Sequence, residues 1–300
     1  MANFYIDGAA FSNSTSVFTD AALTNCAPNG FYSDGIISRE LVDCILLPAQ
    51  ICPSCAVTCD VSISSLVGPA FFLTEVNEGT SSTGAIIIKF NPNSIPDGIF
   101  AIYDGIGYNK LSSPVDGLHK STDPTRLTFI GNTANDCGIS GNTYPLAEYN
   151  YINGAYTASG DIVNITVNAG DVSLSAGVNP GFCVMVVPKI NASPSNIIIW
   201  TASPCTDLLG SVLEVSCPTI LTGYSSSIGQ ASSALACPLS ITQTYYNVPV
   251  NGTFGNPALF DWVFQDPNGE FPLANGYYAL FGGTWIQVQD GIIILTGVCP

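Results

Sequence analysis

Short runs of β-branched and aromatic residues, divided by corners carrying Gly, Asn and Asp, recur along the whole chain. In the middle region these runs are Val61–Ile63, Ala70–Leu73, Ala85–Phe90, Ile99–Tyr103, Leu127–Ile130, Ile162–Val167, Val184–Val187 and Ile197–Trp200. Ile86–Ile88 and Ile197–Ile199 are continuously apolar, which predicts strands covered on both faces. The alternation in Ile162–Val167 predicts a strand with one wet face. No apolar stripe at i, i+3, i+4, i+7 is sustained, so helices are not expected. Asp-Gly begins at Asp7, Asp34, Asp97, Asp104, Asp116 and Asp290, and Asn-Gly at Asn29, Asn153, Asn251, Asn268 and Asn275. Such dipeptides adopt the positive φ angles of tight hairpin turns.

The pattern predicts an all-β protein in which a central β-sandwich or jelly-roll-like domain, residues 56–236, is flanked by two related small β-modules, 1–55 and 237–300. The first module reads as strands at Phe4–Ile6 and Ser16–Phe18. A hairpin around Asp34-Gly35 and a single strand Leu41–Leu47 follow. Gly210–Ala236, rich in Ser, Gly and Thr, reads as an exit connection. The modules are related by their order of signals. From Val17 the chain runs VFTD, PNGFY, a DG, an apolar strand and QICP; from Val263 it runs VFQD, ANGYY, a DG, an apolar strand and GVCP. Val17 to Asn29 and Val263 to Asn275 are both 12 residues. Asn29 to Cys52 is 23 residues and Asn275 to Cys299 is 24.

Charge narrows the partners. The net charge is −16 with six Lys and Arg, and no basic cluster exists to neutralise phosphates, so neither nucleic acid nor an anionic membrane surface is expected as a partner. No apolar run is long enough to span a bilayer. The start, MANFYIDGAAF, carries neither the basic nor the apolar part of a secretory signal, so the product is expected either to stay in the cytoplasm or to reach the outside by another route, such as inside an assembled particle. Eleven cysteines then read first as buried thiols, with disulfides as the alternative.

Few residues carry chemistry. Cys52, Cys55 and Cys59 form C-x2-C-x3-C, a candidate structural zinc site, with a fourth thiolate available from Cys26, Cys44, Cys205, Cys217, Cys237 or Cys299. The paired CxxC…CxxC signature is missing, which favours buried thiols or disulfides. His119 is the single histidine; in the polar stretch DGLHKST it reads as a surface residue and leaves room for one imidazole-dependent site at most. No HExxH, GxSxG or P-loop occurs. Asp97, Asp104, Asp116, Glu75 and Glu148 are available for a carboxylate pair or a cation, yet turn geometry explains most of the Asp residues. No cofactor is expected and the chain reads as no enzyme. Tyr277, Tyr278 and Trp285, with Trp262, Tyr245 and Tyr246, fill a small core or face an interface. Tyr103, Tyr108, Trp200 and Trp285 are the candidates for sugar-stacking platforms.

Three stretches are distinctive together: SVFTDAALTNCAPNGFYSDGIISREL…LLPAQICPSC, GAIIIKFNPNSIPDGIFAIYDGIGYNKLSSPVDG and WTASPCTDLLG. They make up roughly a third of the chain and resemble modules of virion structural proteins from phages infecting Bacteroidota, including marine flavobacterial and crAss-like phages. The resemblance implies a non-enzymatic tail, fibre or adaptor component working in assembly or host attachment, with a capsid-surface decoration protein or a carbohydrate-binding adhesin as alternatives. It implies a virion location, reached from the host cytoplasm. Its implied partners are other virion proteins, further copies of the chain, and a host glycan or receptor.

Overall fold

The structure, a computed structural model, describes residues 4–33, 37–48, 50–51, 57–65, 68–78, 82–93, 95–152, 154–193, 196–206 and 210–300. Its regular secondary structure is almost wholly strand, and its one α-helix among these residues is the short Ser233–Ala236. Among the described residues no helix is long and apolar enough to cross a membrane. Residues 1–57 with 152–155 form one compact unit, and residues 58–151 with 156–300 form the other.

In the first unit, Tyr5–Ile6 pairs with Val17–Phe18, and Ile37–Val42 pairs with Gly30–Ser33, Ile45–Leu46 and Gln50–Ile51. Phe11, Val17, Ala27, Leu41 and Leu46 make its core. The guanidinium of Arg39 ties the loops to this core by donating to the carbonyls of Leu47 (2.7 Å), Ser14 (2.6 Å), Phe11 (3.2 Å) and Leu46 (2.9 Å). Leu41–Leu47, expected as one strand, is broken by a turn. Asp43 and Cys44 both take the left-handed conformation, at φ 49° and 68°, as the two central residues of a tight hairpin do. The expected turn at Asp34-Gly35 lies outside the described residues.

The second unit holds a two-sheet body and a barrel. The six-stranded sheet runs Gly117–His119, Leu111–Ser113, Cys183–Lys189, Gly84–Asn91, Val212–Val215, Val61–Ser64. The main path of the nine-stranded sheet runs Ala155–Val167, Asn142–Ile152, Ala70–Asn77, Asn196–Ser203, Asp97–Tyr103, Thr128–Asn132, Val172–Ser175. Seven of the eight runs picked out in the sequence fall within these strands, and Leu127–Ile130 overlaps Thr128–Asn132 with Leu127 just before it. Asp104-Gly105 and Asp290-Gly291 are left-handed hairpin turns as expected. Asp97-Gly98 instead opens a strand, where the ring of Phe129 lies so close that a side chain at Gly98 would collide with it.

The barrel closes through six strands: Gly223–Ser226, Gln243–Val248, Trp262–Phe264, Ile292–Val298, Thr284–Gln289 and Gly276–Leu280. Its first strand and the sandwich strand Val212–Val215 both come from the segment expected as a connection. Alternation along the strands sends Tyr224, Val263, Tyr278, Ile286, Val288 and Ile293 into the interior. Trp262, Phe264, Val248 and Ile292 point outward and pack on Ala85, Ile87, Val184 and Val186 of the six-stranded sheet. The opposite face of that sheet carries Ile86, Ile88 and Phe90, all fully buried. Ala85–Ile88 is therefore continuously apolar because the barrel covers its second face, while Lys89, beyond that contact, is exposed. The loop after Val248 is gathered by the buried carboxylate of Asp261. Its Oδ1 accepts from the amides of Val250, Asn251 and Gly252 at 2.7, 2.9 and 3.0 Å, and its Oδ2 accepts from the Ala258 amide at 3.0 Å.

The small unit and the barrel share one hairpin module, bond for bond. The Ala27 amide donates to the Val17 carbonyl, as the Leu273 amide does to Val263, each at 2.9 Å. The Thr19 amide donates to Asn25, as Gln265 does to Phe271. The Asp43 amide donates to Asn29 Oδ1 (2.9 Å), as Asp290 does to Asn275 (2.8 Å). Buried Leu41 stands opposite Gly30, and buried Val288 opposite Gly276.

Candidate functional site

The cysteines are a closed question for most positions. Cys26 is bonded to Cys44, Cys59 to Cys217, Cys137 to Cys205 and Cys237 to Cys299, while Cys183 is a free buried thiol. The first reading, buried thiols, is thus corrected for eight of the described cysteines. The fold brings their Cα atoms within 5.0–6.7 Å, inside the range a disulfide spans. Cys59 is consequently no free thiolate for zinc, and Cys52 and Cys55 lie outside the described residues. Among the described residues no three His, Cys, Asp or Glu side chains gather closely enough to hold a metal ion.

His119 is not on the surface. It ends the strand Gly117–His119 with its imidazole turned inward and 6% exposed, because its neighbour Leu118 takes the side facing the barrel contact. Burial lowers its pKa below the ordinary 6.5, with Asp116 acting in the other direction.

A cleft of about 730 Å³ opens where the barrel meets the body. Tyr103, Met185, Trp262 and Phe264 form its buried floor, while Ile106, Ile190 and Phe271 stand at its exposed rim. Its charged groups are Asp104, Lys110 and Glu270. Tyr108 is half-buried in one wall, and burial raises its pKa, helped by Tyr103, Asp104 and Glu270. Of the five carboxylates singled out in the sequence, Asp104 alone lines this cleft. Asp97 is fully buried, Asp116 sits in a turn, and Glu75 accepts from the Asn196 side chain at 2.6 Å. Glu148 belongs to the strand Asn142–Ile152.

The aromatic candidates separate by strand face. Tyr278 is inside the barrel, 2% exposed, its hydroxyl donating to the Ala274 carbonyl at 2.8 Å and its pKa pushed up to about 12, chiefly by burial. Tyr277 and Trp285 lie on the outer face, half-buried, with ring centres 5.6 Å apart and planes inclined by 55°. The indole Nε1 of Trp285 donates to the Val298 carbonyl at 3.2 Å, and the ring rests on Gly297, where any side chain would strike it. Tyr277, though not Trp285, lines an open groove of about 760 Å³ whose amide side chains are Gln230, Asn275, Gln287 and Gln289. Trp200 is packed against Phe71 and Phe100, with ring centres 6.1 and 5.6 Å away, and Tyr103 is buried, so neither serves as an exposed platform.

Ile106, Ile190, Phe271 and the row of glutamines escaped the sequence reading. Nothing local marks an apolar residue as exposed or an amide as groove-lining. No family model, curated protein or solved structure matches this chain.

Proposed function

We propose that this chain is a non-enzymatic structural protein of a phage particle, working in the tail, fibre or adaptor apparatus in assembly or host attachment. The observation that carries the reading is the doubled hairpin module. One small unit is used twice in the chain, with the same backbone bonds and with different residues on its outer face. Such reuse suits docking units that hold one geometry while each copy meets its own partner. The paired cysteines support a working life in an oxidising exterior after assembly. The long, exposed strand Ala155–Val167 ends the nine-stranded sheet among the described strands. An edge of that kind invites pairing with another chain, which supports homo-oligomerisation or contact with other virion proteins.

The experiment is a mass-spectrometric inventory of density-purified particles, with gold-labelled antibody against the chain viewed by electron microscopy. The chain is expected at stoichiometric level and at a discrete place on the particle. Its presence only in the soluble lysate would overturn the proposal.

A further inference from the structure

We propose that the outer face of the barrel around Tyr277 and Trp285 is a binding site for neutral saccharide. The reading stands on the barrel itself and is tested on the purified chain, apart from the particle.

Four observations converge. The first is a pair of aromatic faces, 5.6 Å apart and mutually inclined, on adjacent antiparallel strands. Sugar rings present C–H faces that lie against such π surfaces. Rigidity is the second: the Trp285 indole is tethered to Val298 and seated on Gly297, so little freedom is lost when a ligand lands on it. Third, the adjoining groove is lined by Gln230, Asn275, Gln287 and Gln289 and carries no Asp, Glu, Lys or Arg, in a chain of net charge −16. Carboxamides donate and accept at once, which matches sugar hydroxyls, whereas an ionic ligand would find no counter-charge there. Nucleic acid, which also stacks on aromatics, would meet an acidic protein.

The fourth observation is an internal control. The N-terminal module keeps the positions that hold the hairpin, Gly30, Tyr32 and Leu41 standing for Gly276, Tyr278 and Val288. In register with Tyr277, Trp285 and Gln287 of the barrel it has Phe31, Ser38 and Glu40, of which Ser38 is buried. The hairpin by itself therefore does not demand the aromatic-amide set; in the barrel the helix Ser233–Ala236 also packs on these two strands, and the half-exposed part of the pair is the surface offered to a ligand.

The test uses the purified full-length chain on an array of neutral and acidic oligosaccharides, followed by calorimetric titration of the hits. At least one neutral oligosaccharide is expected to bind, with an affinity insensitive to salt. Trp285→Ala and Tyr277→Ala are each expected to weaken it about tenfold. Gln287→Glu, which copies the residue the other module already carries, is expected to weaken it with an unchanged melting curve. Tyr108→Ala, in the separate cleft, should leave binding as it was. The proposal is overturned by binding of acidic glycans alone or of none, by affinity that survives Trp285→Ala and Tyr277→Ala, or by affinity lost with Tyr108→Ala.

Discussion

The indole nitrogen of Trp262 donates to the backbone carbonyl of Val184 at 2.8 Å, in a site closed to water. This bond fastens the barrel to the six-stranded sheet at the centre of their shared apolar contact. Trp262→Phe keeps most of the buried area but strands the Val184 carbonyl. A loss of about 1–3 kcal/mol is expected, read as a lower urea midpoint. Trp262→Ala opens a cavity as well and should cost about 3–5 kcal/mol.

Asp261 makes a second prediction. Its carboxylate serves four backbone amides and the Asn247 side chain, at 3.1 Å for the last. Asp261→Ala leaves those buried donors without an acceptor, and a loss of about 3 kcal/mol or more is expected in the same denaturation experiment. Asp261→Asn, which keeps both acceptor positions only in part, should fall between the variant and the parent.

The cysteine pairing is checked by peptide mapping without reduction. Cys59 should be recovered linked to Cys217, and Cys237 to Cys299, while Cys183 resists alkylation until the protein unfolds, since burial pushes its thiol up to about 12. Replacing both Cys237 and Cys299 by Ala should destabilise the protein by about 2–5 kcal/mol, because the unfolded chain regains the freedom of a long loop. A Cys59 peptide recovered as a free thiol would contradict the pairing.

Acid stability should report on His119. Its folded-state pKa lies below the ordinary 6.5, so between those two values the unfolded chain binds the extra proton. The contribution of the neutral imidazole is complete above pH 6.5 and is lost as pH falls through the lowered value. A His119→Gln variant should therefore show a flatter melting temperature below pH 6.5 than the parent. An identical slope would remove His119 as the cause.

The repeat shows how far local signals reach. VFTD and VFQD, and the Asn-Gly-aromatic segments, are short-range patterns, and they land on equivalent strands in both modules. Their Asp-Gly pairs do not correspond. The partner of Asp290-Gly291 is Asp43-Cys44, both pairs being left-handed hairpin turns, and not Asp34-Gly35. Cys44 was illegible as a turn residue because what holds it is a bond to Cys26. At the matching place in the barrel, Pro272 lies against Gly291.

The aromatic cluster divides in the same way. Adjacent Tyr277 and Tyr278 are alike in sequence, and alternation dictates only that they face opposite sides. Closure of the barrel by Gly223–Ser226 decides which side is core, and so which tyrosine meets solvent. The cleft between barrel and body had no sequence signal, since its walls come from segments far apart in the chain.

What the amino-acid order determined by itself is the all-β class, the main strands and the existence of a repeated hairpin. Each depends on backbone preference and side-chain period over a few residues. The tertiary structure alone decided that Ala85 and Ile87 meet a barrel while Ile86 and Ile88 turn to the opposite face, and that Cys59 finds Cys217. Those outcomes depend on which distant surfaces exclude water together, and no short window of sequence contains both partners.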